Sequence, residues 1–282
     1  MQSMTKPAKR KHYSPRPESP WKRKIAVGGA ILLSLVTTVG ALSIILYYKG
    51  KADTGVAQIQ IQKEISPLLL HARQNVQRAQ TLIRTAGTDP QEIRGVTILI
   101  LNSCEKILSL DPHNEEGWRL RGRAMEYRFE FQKAAEAYSK AIQILPSSQA
   151  NLWRGFLGIR ELTQLRLQSE DSKELREKTK EDLRRFVFYS QGDISDPQNR
   201  FLASLCIAWL LEEHNNVQTL YRTSQTIAPT EWIPPLISAL SYFDAGNKKE
   251  ALPAFQKAGM LAPYLSEITA FQGKLLREGE RP

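Results

Sequence analysis

The side chains that could do chemistry are few and scattered. The four histidines, His12, His71, His113 and His214, are far apart in the chain, and the two cysteines are Cys104 and Cys206. Paired histidines at helical spacing or a CxxC would hold a metal, a GxSxG would present a nucleophile, and a glycine-rich loop would cradle phosphate. The chain has none of these patterns. Asp89, Asp111 and Asp196 each precede a proline, where an aspartate caps a helix or turns the chain. Both cysteines fall in apolar helical stretches and read as small core residues rather than as a disulfide. The expectation is therefore no catalytic residue, no metal site and no cofactor.

The elements that must position these residues repeat. Prolines 112 and 146, and again 229 and 263, stand 34 residues apart, each closing a helical segment. In a unit beginning at Glu115, Trp118, Gly122, Ala134, Tyr138, Ala141 and Pro146 occupy offsets 4, 8, 20, 24, 27 and 32. In the frame ending at Pro263, Tyr242, Ala251, Phe255 and Ala258 occupy offsets 11, 20, 24 and 27. This pattern resembles the tetratricopeptide repeat. The resemblance implies an all-α solenoid of about five helix pairs, 68–114, 115–148, 149–197, 198–231 and 232–265, closed by a capping helix over 266–282. Gly122 and Ala134 are expected where the two helices of a pair cross, with Tyr138 and Ala141 turned to the next pair. Some fifteen extra residues in the third unit are expected within 160–185, a stretch of alternating charge that reads as a solvated helix extension, or else a docking arm. Val56 to Ile65 reads as a short connecting helix that Pro67 interrupts, and the first unit's leading helix as Leu68 to Ala86.

Ahead of the repeats, Ile25 to Tyr48 carries no charged residue. As a helix it is about 36 Å long, enough to cross a hydrocarbon core of about 30 Å. It is too long for a cleaved signal peptide, and Tyr47 and Tyr48 stand where cleavage wants small side chains. The net charge of +10 is concentrated in residues 1–24, which hold eight Lys/Arg and one acid. That excess orients the segment with its tail in the cytoplasm and everything beyond about residue 50 across the membrane. The compartment reads as the periplasmic side of a bacterial inner membrane or, in a eukaryote, the secretory lumen, the first being favoured. The tail is rich in Pro, Ser and charge and reads as disordered, and 49–67 as a linker. The nearly neutral remainder offers no footprint for nucleic acid.

The resemblance also implies where a partner would bind, since members of the family usually take ligands on the concave faces of the first helices. By its offsets the groove candidates are Arg119, Arg123, Tyr127, Trp153, Leu157, Trp209, Leu240 and Phe243. These depart from the Lys/Asn/Arg clamp that holds acidic chaperone tails, and the floor turns apolar toward the C-terminus. It suits a helix or an extended apolar segment of a protein partner. The functional expectation is a membrane-anchored, non-catalytic scaffold or chaperone-like adaptor in an envelope or luminal assembly. The rivals are an accessory subunit of a membrane enzyme complex, and a homo-oligomer whose grooves are filled by the insertion or by a neighbour's helix.

Overall fold

Asp89 accepts from the Gln91 amide at 2.8 Å, Asn114 from Gly117 at 2.8 Å, Ser172 from Leu175 at 3.2 Å and Asp196 from Asn199 at 3.3 Å. Each satisfies an amide that the first turn of a helix leaves without a partner. Asp111 instead turns the chain, accepting from His113 N at 3.0 Å. The computed structural model describes residues 58–85, 88–191 and 196–279, together with residue 43. The expected membrane segment 25–48, the basic tail 1–24 and most of the linker lie outside the described residues. Among the described residues no helix is long and apolar enough to cross a membrane.

Residues Ile61–Pro282 form one compact unit. Its helices are α1 (58–84), α2 (Pro90–Leu110), α3 (Glu115–Tyr127), α4 (Phe131–Ile144), α5 (Ala150–Leu167), α6 (Lys173–Tyr189), α7 (Pro197–Leu210), α8 (His214–Ile227), α9 (Ile233–Asp244), α10 (Lys248–Leu261) and α11 (Ser266–Gly279). From α2 onward each helix packs against the next in chain order, as stacked antiparallel pairs do. The array is an all-α solenoid of stacked helix pairs.

Glycines set the closeness of the pairs. A Cβ on Gly122 would lie 2.4 Å from the Tyr138 ring, one on Gly155 2.6 Å from Leu183, and one on Gly158 2.1 Å from the Thr179 hydroxyl. Tyr138 thus covers Gly122 of its own pair, while sharing a cluster with Ala150 and Leu157 of the next one. Ala141 does face onward, packing in one cluster with Ala150 and Leu157 of α5.

One expectation is overturned, and one pair of alternatives is decided. Pro67 does not interrupt α1, which is helical from 58 to 84. Ile65, Leu69, Ala72, Ala79 and Ile83 bury one face on both sides of it, and Pro67 itself is exposed, so the carbonyl it leaves unpaired is on the wet side. The extra residues of the third unit form no arm but a helix extension whose outer face is solvated, with Glu174, Lys178, Glu181 and Arg185 exposed. They lengthen both helices, α5 to 18 residues and α6 to 17, against 13 and 14 in α3 and α4. Leu162, Thr163, Thr179 and Leu183 are all buried, and Asp182 forms a two-pronged pair with Arg154 at 2.6 and 2.7 Å. The charge that reads as solvated is partly neutralised inside.

The lengthened α5 has a use, for it meets α11. Arg160 of α5 donates to Glu267 of α11 at 2.5 Å, and Lys274 of α11 donates to the Leu167 carbonyl at 2.9 Å. On the opposite side, Arg84 of α1 pairs with Glu231 at 2.9 Å across 147 residues of sequence. Tyr264, in the turn before α11, packs against both the α1–α3 cluster and the C-terminal one. The array therefore curls back on itself.

Candidate functional site

Curling leaves one cavity of about 330 Å³ on the inner face, walled by α1, α3, α5, α7 and the turns at Trp232 and Tyr264. Its centre is Arg123. The guanidinium lies 4.7 Å from the Tyr127 ring centroid and 4.1 Å from that of Trp153, an arrangement in which ring faces stabilise a cation. It donates to Glu126 at 2.7 Å and to the Tyr127 hydroxyl at 2.5 Å, and Tyr138 donates to the same Glu126 carboxylate at 2.9 Å. Burial alone would lower the Arg123 pKa, but the Glu126 carboxylate and the two phenols outweigh it and hold it well above its ordinary value. Burial pushes the Tyr127 and Tyr138 phenols up, and Tyr264 to about 12. The group is a locked cation with neutral phenols around it.

The other cations of the wall are also committed. Arg160 lies 4.1 Å over the Phe131 ring while bonded to Glu267, and Arg84 is held by Glu231. Asp196 is occupied with Gln149 and Asn199. The cavity presents aromatic surface and side-chain amides whose charges cancel within the wall. Such a surface binds by apolar burial and hydrogen bonding. It offers no poised acid, base or nucleophile. The thiols lie elsewhere in the core, and burial pushes Cys104 to about 12 and Cys206 higher still. Among the described residues no group of three or more His, Cys, Asp or Glu is placed to hold a metal ion.

The structure brings Arg123, Tyr127 and Trp153 together at this cavity. It does not bring the others. Arg119 lies in a polar ladder with Glu115, Glu116 and Gln149, which ties the start of α3 to the start of α5. Leu157 is buried between α4 and α5. Trp209 and Leu240 are fully buried, and the Trp209 ring nitrogen donates to Asp244 at 3.0 Å. Phe243 packs edge-on at 5.0 Å against Phe271 of α11. The apolar C-terminal part of the expected groove is therefore largely core: Trp209 and Leu240 are fully buried, and Phe243 is half-buried against α11.

Sequence reasoning missed Trp232, Tyr264 and Phe129, all in turns outside the first-helix offsets. For Phe129 a signal existed. The tight turn within the fifth pair carries Gly246 at φ 79°, and Phe129 holds the corresponding place in the second at φ 62°.

No protein-family profile matches the chain, and no curated protein matches it. Among solved structures, a crystal structure of the MamA protein is 16% identical, covering 66% of this chain and 91% of that one, with a TM-score of 0.39. YrrB, described as a TPR protein with an unusual peptide-binding site, is 15% identical over 66% of this chain and 88% of its own, TM-score 0.38. PilW, described as a widely conserved type IV pilus biogenesis factor, is 17% identical over 73% and 89%, TM-score 0.40. At such values the likeness carries no weight for function, and the assignment to a helix-pair solenoid rests on the packing described above.

Proposed function

We propose that this chain is a membrane-anchored, non-catalytic scaffold that holds a protein partner at the inner cavity of its helix-pair array. The observation that supports it most is the composition of that cavity. Tyr127, Trp153 and Trp232 line it while the cations around them are neutralised by the array's own carboxylates. Desolvated aromatic surface of this kind contributes most of the energy in protein interfaces. With α11 filling the C-terminal half, the partner is an extended segment or a short helix end rather than a long helix lying along the whole groove.

The anchor in this reading is the uncharged segment 25–48, with the basic tail in the cytoplasm and the array across the membrane. In sealed vesicles that keep the cytoplasmic side inward, a membrane-impermeant maleimide should label a cysteine placed at Lys140 and spare one at Ser14. The reverse pattern contradicts the orientation.

The partner reading is tested by filling the cavity. Gln80 lies half-buried on its α1 wall, and Gln80→Trp puts an indole into the space with the array intact. Full-length protein purified from its native membrane in mild detergent should lose its stoichiometric partner on this substitution while its melting temperature holds. Retention of the partner by the filled cavity contradicts the reading.

A further inference from the structure

We infer that the turn between α3 and α4 is a second docking point, built on Phe129, for an extended peptide that places a large apolar side chain beside a carboxylate. The inference rests on the scaffold reading and adds a separate surface and a chemistry for what binds there. Four successive pairs turn through one residue at positive φ: Phe129 at 62°, Ser169 at 64°, Glu212 at 61° and Gly246 at 79°. Glycine or asparagine meets that backbone at least cost, and a bulky aromatic residue is among the worst choices. Phe129 is nevertheless there, and it is 50% exposed, so it is disfavoured by both the backbone and water. A residue kept against both costs, where the turn itself does not need it, points to use by a ligand.

Its surroundings define the ligand. Phe129 stands between the inner cavity and an outer cleft of about 300 Å³, whose walls include Pro90, Ile93 and Arg94 of α2. The ring is braced edge-on by Phe131 at 6.0 Å, which holds it upright as a wedge. Of the charges at this cleft, Arg128 and Glu130 pair with each other at 2.7 Å. Arg94 is exposed and makes no ion pair among the described residues. The cleft therefore carries apolar walls and one solvent-exposed guanidinium with no ion-pair partner among the described residues, complementary to a carboxylate. A lysine-bearing segment would meet repulsion there, and a neutral one would leave the guanidinium unpaired.

The test is fluorescence anisotropy on the full chain in detergent, with short labelled peptides holding one Phe flanked by Glu, against versions with Ala for Phe or Lys for Glu. The acidic Phe peptide should bind saturably and the other two weakly. Phe129→Asn, which suits the left-handed backbone, should weaken that binding by about thirtyfold without lowering the melting temperature. Arg94→Ala should weaken it and remove its salt dependence, while Ser169→Asn at the equivalent turn should leave it unchanged. Equal binding of acidic and basic peptides, or full binding by Phe129→Asn and Arg94→Ala, overturns the inference, as does a clear fall in melting temperature for Phe129→Asn. In each of those cases a partner still lost on Gln80→Trp leaves the cavity reading standing.

Discussion

Gly122 lies under the Tyr138 ring with no room for another carbon, whereas Gly95, in the second turn of α2, faces open space. The same substitution should therefore have opposite signs at the two sites. Gly122→Ala forces the α3–α4 pair apart and should cost about 1–3 kcal/mol. Gly95→Ala meets nothing, restricts the unfolded chain and should gain about 0.5–1 kcal/mol. Urea unfolding of the two variants decides it, and a shift of the same sign in both contradicts the packing described. Gly122 could be read from the sequence because it stands at the offset where the repeat pattern places a small residue. Phe129 was harder to read, because only its offset, shared with Gly246, marks the left-handed turn that an aromatic side chain disguises at 129.

At the scale of elements, helix periodicity and caps carried most of the information. Asp89, Asn114 and Asp196 stand at helix starts with their side chains already bonded. What periodicity could not show was that Asp182, within the charged stretch over 160–185, is buried against Arg154, since a buried pair has the same letters as a solvated one. The joint of α1 with α3 is held by a charged pair that can be followed by pH. Burial would raise the Glu116 carboxyl, but the Arg73 hydrogen bond and the charges of Arg119 and Arg73 prevail and hold it below 4.5. Its folded pKa lies beneath its unfolded one, so the native state binds fewer protons in that window. The stability it contributes is present above pH 4.5 and lost as the pH falls through the lower folded value. Wild-type protein should lose stability more steeply than Glu116→Gln as the pH drops below that range. A shallower acid decline in the wild type contradicts the pairing.

The whole molecule is where the sequence was least informative. Repeat offsets assign a concave face, but whether that face stays open depends on contacts 107 and 147 residues apart, Arg160 with Glu267 and Arg84 with Glu231. No local pattern encodes them. The repeat offsets place Trp209, Leu240 and Phe243 on a concave face and read α11 only as an end cap. It caps the array and also turns inward, burying Ile268, Phe271 and Leu275. The buried pair that pins it should behave asymmetrically. Glu267→Ala leaves Arg160 charged and unpaired in the interior and should cost about 3–5 kcal/mol, whereas the double replacement Arg160→Leu with Glu267→Leu should recover most of that loss. A double variant no more stable than Glu267→Ala alone would show that the closure does not depend on the pair in this way.

The central claim is that the inner cavity, and not the exposed face of α10, is where this scaffold holds its main partner. Site-specific photocrosslinking in the native membrane tests it most directly, with benzoylphenylalanine at Trp232 on the cavity wall and, as control, at Met260, which is 81% exposed on α10. A distinct adduct formed from position 232 and absent from position 260 is the expected result. Adducts of equal yield from both positions, or from 260 alone, would contradict the account.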